Sequence, residues 1–303
     1  VSLLVFLLTN FIGDPVDMLV PENATLEQIE SARARLGLDK PLPVQYGIFI
    51  RDVLHGNFGK SYIYGKPAMD LIFERMPATL ELVAVAACLV LCIAIPLGVY
   101  AGAYPKRASS KLIMSGSILG ISLPSFWVGM MMIYIFAVVL RLLPASGRGN
   151  TVMVGNVALS IFAPGGIRYV ILPAITLALT NVATMLRLTR SGILENMRQD
   201  YIKFARAKGV PAKSILFGHA LKNALIPVVT IFGMDLGNMI AFTTITETIF
   251  AWPGMGKLLI DAINKSDRPI IVAYLMAAAC MFVVLNFIVD ILYTLIDPRI
   301  ELR

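Results

Sequence analysis

The chain has 303 residues, of which 57% are hydrophobic and 15% charged, with a net charge of +7 and a mean hydropathy of +0.77. A soluble domain carries about a quarter charged residues, and several apolar runs here reach the roughly 20 residues that cross a bilayer, so the composition excludes an ordinary soluble globule. The basic residues lie between the apolar runs, where they act as positive-inside topology signals and not as a nucleic-acid surface.

Residues 1–12 are apolar but too short to span a bilayer. Neither a basic segment ahead of them nor a small-residue cleavage site marks a signal peptide. They read as the outer end of a first span whose beginning is missing from this numbering. Gly13-Asp14-Pro15 ends it. Residues 13–78 are polar and mixed in charge. Within them 24–36 look helical, with Gly37 as the stop. The stretch is too long for a plain connection and is expected to form a folded external cap.

Spans are then predicted over 79–103, with Pro96 inside; 112–140, containing Pro124; 169–186, with Pro173 near its start; 224–246; and 269–296, closed by Asp297-Pro298-Arg299. Polar stretches over 141–168 and 247–268 are expected to be external loops. The fold class expected is therefore all-α: a polytopic membrane protein of six transmembrane helices, with residues 79–303 as its permease domain. Proline inside a span frees a carbonyl that lipid cannot satisfy, but a neighbouring helix or a wet path can.

The basic island at 187–223 breaks this apolar pattern. Asp200 is expected to cap a short helix that starts at Tyr201, because a carboxylate accepts orphan N–H groups at the positive helix end. Gly209 stops the helix, since glycine enters the left-handed region without steric penalty. Pro211 opens the next one, where its missing N–H is harmless. Raw counts of basic residues do not separate the two sides of the membrane. The orientation rule weighs short loops, however, and the dense, unbalanced island belongs inside.

Chemistry within the chain finds little support. Gly59-Lys60-Ser61 resembles the end of a phosphate loop, but Leu54 stands where the first glycine is needed. Gly120-Ile121-Ser122-Leu123-Pro124 departs from the nucleophile elbow at its last position. His55 is read as outside and His219 as inside, so the two share no metal. Cys88, Cys92 and Cys280 lie in apolar runs and read as packing thiols. No metal, no cofactor and no catalytic residue is expected.

Polar groups inside spans are candidates by default. Asp235 and Asn238 share a face of the fifth span and are read as lining a translocation path or as interhelical glue. Asn286 and Asp290 are read as glue or anchoring near the inner interface. Glu247 and Trp252 lie in a glycine- and proline-broken segment that either folds against the outer mouth of the path or anchors at the lipid surface.

Ala205-Arg206-Ala207-Lys208-Gly209 and His219-Ala220-Leu221-Lys222-Asn223-Ala224-Leu225-Ile226-Pro227 together resemble the cytoplasmic loop of ABC-importer permeases. The general permease pattern is Glu-Ala-Ala, three residues, Gly, nine residues, Ile-x-Leu-Pro. Here Lys203 and Phe204 stand where Glu and Ala would be, Ala205 and Gly209 match, and the proline is displaced to Pro227. These departures resemble the dipeptide/oligopeptide/nickel branch, as do the segments 36–41, 56–61 and 247–257. The resemblance runs over nearly the whole chain.

It implies a transmembrane subunit of a binding-protein-dependent importer of di- or oligopeptides in the bacterial cytoplasmic membrane, working by alternating access. It also implies a second homologous permease, two ATPase subunits that hold ATP and Mg, and an extracytoplasmic binding protein. Tyr201, Ala205, Arg206, Ala207, Lys208 and Gly209 become the ATPase-coupling residues. Import of nickel or glutathione by the same architecture is the alternative, followed by a secondary transporter.

Overall fold

The structure is a computed structural model that describes residues 2–11, 16, 20 and 25–296. Gly13-Asp14-Pro15 and Asp297-Pro298-Arg299 lie outside the described residues, as does the side chain of Asp290. The chain is predominantly helical. Four described helices are long and apolar enough to cross a membrane, and a bent pair makes a fifth candidate.

The first compact unit comprises Val1–Thr79 and Pro253–Phe282. It contains α1 (Ser2–Phe11), α2 (Leu26–Leu36), α3 (Leu42–Leu54), the beginning of α4 (Ala68–Ala103), α11 (Met255–Asn264) and part of α12 (Arg268–Ile296). Thr25 and Gln28 close a reciprocal capping box on α2, and Gly37 ends it at φ +68°. Phe6 of α1 packs against Tyr46 and Phe49 of α3, with ring centroids 5.3 and 5.7 Å apart. The core joins Leu71 and Ile72 of α4, Met255 and Leu258 of α11, and Ile270 and Tyr274 of α12. Buried Asp267 accepts hydrogen bonds from the Ser61 hydroxyl and the Tyr62 amide, tying the turn before α4 to the start of α12.

One span and one loop differ here from the sequence reading. The expected start at residue 79 becomes Ala68. Asp70, Glu74 and Arg75 make that stretch look like a loop, whereas Ala68, Leu71 and Ile72 form a buried stripe at helical spacing. The expected loop 247–268 contains α11 for the same reason. Residues 253–282 group with the first unit, not with the rest of residues 79–303.

The second unit comprises Leu80–Trp252 and Val283–Arg303. It holds the rest of α4, then α5 (Ala108–Ser122) and α6 (Ser125–Met132), which continues as a π-helical turn over Ile133–Val139. The axes of Ala108–Ser122 and Ser125–Val139 differ by 105°. The single third span expected over 112–140 is thus two helices at a sharp break beside Pro124. Leu123 is extended (ψ 129°), as a residue before proline prefers to be, and Pro124 opens α6 without needing an N–H.

A small antiparallel hairpin follows, β1 (Val152–Val154) with β2 (Val157–Leu159), in a stretch read from sequence as loop. Then come α7 (Ile167–Asn196), α8 (Asp200–Ala207), α9 (Ala212–Ser214), a π-helical segment Ile215–Ala220 and α10 (Leu221–Ile249). Ala212–Ile249 runs on as one 38-residue helix, so the fifth span begins earlier than expected.

Small residues set the spacing of these helices, as in lipid-embedded bundles. A Cβ on Gly98 of α4 would lie 2.8 Å from the Leu186 carbonyl oxygen of α7 and 2.6 Å from the Thr189 Cβ. Gly102 meets Ile193 in the same way, and Gly192 of α7 meets Ala224 of α10. Gly98→Leu is therefore expected to force α4 and α7 apart. Overpacking of this kind costs about 1–3 kcal/mol or more, read as a severalfold drop in membrane abundance and in heat resistance of the solubilised protein.

Candidate functional site

The basic island runs from the end of α7 to the start of α10, and at its centre is α8, a two-turn amphipathic helix. Ile202, fully buried, packs with Val99, Ile193, Ile215, Ala220 and Ala224, so α8 rests on the ends of α4, α7 and α10. Ala205, three residues on, lies half-buried on this same inner face. Tyr201 adds a polar tie: its hydroxyl donates to Asn196 Oδ1 (2.7 Å) and accepts from Asn223 Nδ2 (3.0 Å). The helix is thereby fastened to both α7 and α10.

Phe204 and Ala207 on the other side of the helix, Arg206 one turn beyond Ile202, and Lys208 at the C-cap are all exposed. Phe204 is 62% exposed, with the Lys208 ammonium 4.5 Å from its ring centroid. An exposed aromatic beside basic groups on an otherwise polar helix fits a protein-docking face. Gly209 ends the helix at φ +74° with nothing within 4 Å of a Cβ placed there. Pro211 occupies the N-cap of α9, and its carbonyl accepts from Ile215 N.

Asp200 differs from expectation. Gln199 holds the N-cap position without a side-chain cap bond. The Asp200 carboxylate instead takes a 2.7 Å hydrogen bond from Lys203, which holds its pKa below the usual carboxylate range. The side chain still sits at the positive helix end.

A second candidate is a cavity of about 310 Å³ lined by Ser125 of α6, by Thr176, Leu177, Thr180, Asn181 and Thr184 of α7, and by Asp235, Asn238, Met239, Phe242 and Thr246 of α10. Asp235 and Asn238 thus face one cavity together. The hydroxyls at 176, 180 and 184 recur every four residues and form one stripe along α7. That spacing is visible in the sequence, although no expectation was drawn from it.

Glu247 and Trp252 are not in that lining. Both are fully buried, and the Trp252 amide donates to the Glu247 carbonyl at 2.8 Å. Trp252 therefore does not sit at a lipid surface. Its indole lies 5.7 Å from the Arg148 guanidinium, which reaches the buried carboxylate of Glu81.

Glu81 Oε2 accepts from Arg148 Nε (2.9 Å) and Nη2, while Oε1 accepts from Ser160 N (2.7 Å), Ser160 Oγ (3.0 Å) and Ile161 N (2.6 Å). Arg148 Nη2 also donates to the Ala158 carbonyl (2.6 Å). This knot pins the hairpin segment to α4. The sequence reading passed over Glu81, although a lone carboxylate near the start of an apolar span is a signal in itself.

Residues 94–302 match the profile of the binding-protein-dependent transport system inner membrane component family, and residues 1–83 match the corresponding N-terminal profile. The chain is 39% identical over 315 residues to a di/tripeptide transport system permease protein, DppB, of Pseudomonas aeruginosa, covering 99% of this chain and 94% of that one. It is 37% identical over 301 residues to a dipeptide transport system permease protein, DppB, of Alkalihalophilus pseudofirmus, covering 95% and 90%. It is 38% identical over 290 residues to an oligopeptide transport system permease protein, AppB, of Bacillus subtilis, again covering 95% and 90%. Among solved structures, one described as inward-facing conformations of the MetNI methionine ABC transporter shares the fold. Its TM-score is 0.58 at 15% identity, covering 76% of this chain and 97% of that one.

Proposed function

We propose that this chain, which belongs to the family of binding-protein-dependent transport system inner membrane components, is the subunit through which di- or oligopeptides cross the bacterial cytoplasmic membrane by alternating access. The observation that carries the reading is α8. It is fastened through Ile202 and Tyr201 to the ends of α7 and α10, and those two helices line the cavity that holds Asp235. A push on the outer face of α8 would therefore reach the cavity walls through packed side chains.

The partners in this reading are a second homologous permease, two ATPase subunits that bind ATP and Mg, and an external binding protein. The permease spans are six, with Ser2–Phe11 contributing to the first, and 13–78 forms a cap on the outer side. Phe204, Arg206, Ala207 and Lys208 dock on the ATPase. Ile202, Tyr201 and Ala205 hold the helix to the membrane domain, and Gly209 fixes the turn that follows.

The deciding experiment is ATP hydrolysis by the purified complex in lipid, with and without binding protein loaded with a dipeptide. Stimulation by the loaded protein supports the reading. Absence of any co-purifying ATPase overturns it in favour of a secondary transporter. Arg206→Glu with Lys208→Glu is expected to lower the stimulated rate about tenfold at unchanged abundance, since like charges facing each other across a docked interface cost several kcal/mol. Unchanged stimulation in that variant would remove both cations from the interface.

A further inference from the structure

We infer that the cavity between α6, α7 and α10 is a binding site for an ammonium group, the free N-terminus of the transported peptide, with Asp235 as its counter-charge. The inference rests on the peptide-import reading above and deepens it.

The Asp235 carboxylate, together with the hydrogen bonds of the wall beside it, carries the inference. Thr176 Oγ1 donates to the Leu172 carbonyl (2.9 Å), Asn181 Nδ2 to Leu177 (3.3 Å) and Thr184 Oγ1 to Thr180 (3.1 Å). Each of these groups spends a donor on the backbone of its own helix. The hydroxyls of Ser125, Thr180 and Thr246 can donate or accept, and Asn181 keeps a second N–H to donate, so these side chains adapt to a guest of either kind. The ionised carboxylate of Asp235 is acceptor-only, and the hydroxyl oxygens of Thr176 and Thr184 and the Asn181 amide oxygen add lone pairs beside it, which together favour a guest that brings N–H donors and a positive charge.

Asp235 is the only charged residue among the described residues of the lining, so the cavity carries one negative charge in a region where carboxylates are expensive. A single cation that brings its own N–H groups matches it. The ring of Phe242 belongs to the same lining, and aromatic faces attract ammonium groups. The volume of about 310 Å³ lies at the small end of ligand cavities and suits the leading residues of a peptide.

A bare divalent metal fits less well. It would find one carboxylate, amide and hydroxyl oxygens and no imidazole, where nickel favours nitrogen ligands. The acceptors on α7 recur one turn apart, so an ammonium leaving Asp235 meets further lone pairs along the helix. The affinity is thereby spread over several weak positions, which lets a transported group move on.

The test is direct binding of labelled Ala-Ala and of its desamino analogue, propionyl-alanine, to the assembled complex in lipid discs without binding protein. Native protein, Asp235→Asn and Asp235→Glu are compared, each checked for normal abundance and assembly. Native protein is expected to prefer Ala-Ala by about tenfold or more, the usual size of a charge-assisted hydrogen bond. Asp235→Asn should bring the ratio near one, chiefly by weakening Ala-Ala, and Asp235→Glu should keep most of it.

A ratio unchanged by Asp235→Asn, including an equal loss of both ligands, overturns the assignment. So does native protein that binds both analogues alike. If that protein still imports dipeptide in the coupled assay, only this inference falls. If it moves nickel and no dipeptide, the peptide reading falls as well.

Discussion

Glu81→Gln is expected to destabilise the solubilised protein by about 3–5 kcal/mol, the usual cost of removing one partner from a buried ion pair. Arg148 is only 11% exposed at its side chain and Glu81 2%, so the substitution strands a guanidinium in a low-dielectric site. Glutamine also presents an NH₂ group where Ser160 N, Ile161 N or Arg148 now donates, turning at least one of these contacts from attraction to repulsion.

Chemical unfolding in detergent, followed by far-UV dichroism, measures the loss. A companion variant tests the cause. Glu81→Gln combined with Arg148→Met removes both charges, and its loss should be smaller than that of Glu81→Gln alone, because no uncompensated charge is left behind. A double variant as unstable as the sum of its parts would mean that the pair itself contributes nothing beyond packing. The loss should also release the segment 148–161 from α4, read as faster amide exchange at Ser160 and Ile161.

The second large effect is expected at Gly209. Gly209→Val should abolish ATP-coupled uptake, at least a tenfold loss, while leaving membrane insertion intact. The residue is at φ +74° with open space around a Cβ, so the obstacle is the backbone itself. A left-handed conformation costs an L-residue about 1–2 kcal/mol, and β-branching adds to this. The turn closes through Gly209 N to Arg206 O (3.0 Å) and Val210 N to Ala205 O (3.1 Å). Straining it re-aims α8 relative to α9.

Asparagine enters the same region readily, so Gly209→Asn should retain uptake within about twofold. Uptake and abundance are measured together in vesicles. Normal uptake by the valine variant would sink the coupling role of this turn, and equal failure of valine and asparagine would point instead to a close approach that needs a bare backbone.

Much of this protein is set by local chemistry and could be read from the chain. Apolar runs of membrane length, Gly37 and Gly209 as helix stops, and Pro211 opening a helix each depend on residues a few positions apart. Motifs in 205–227 and 247–257 pointed to the family that the profile and the relatives then showed. Asp235 and Asn238 could be placed on one face because helical spacing alone decides that.

Tertiary structure decided the rest, because it depends on which distant surfaces meet. Glu81 and Arg148 are 67 positions apart, and nothing near either residue announces the other. Ala205 and Phe204 are adjacent in sequence. Only the packing of Ile202 against α4, α7 and α10 turns Ala205 inward and leaves Phe204 outside. The start of α4 at Ala68 follows from a stripe that must be buried by α11 and α12 before its charged neighbours can be tolerated in a helix. The cavity wall has the same origin. Composition makes it partly polar, the helix backbone takes up one donor each from Thr176, Asn181 and Thr184, and packing of α6, α7 and α10 brings their lone pairs to one cavity with Asp235.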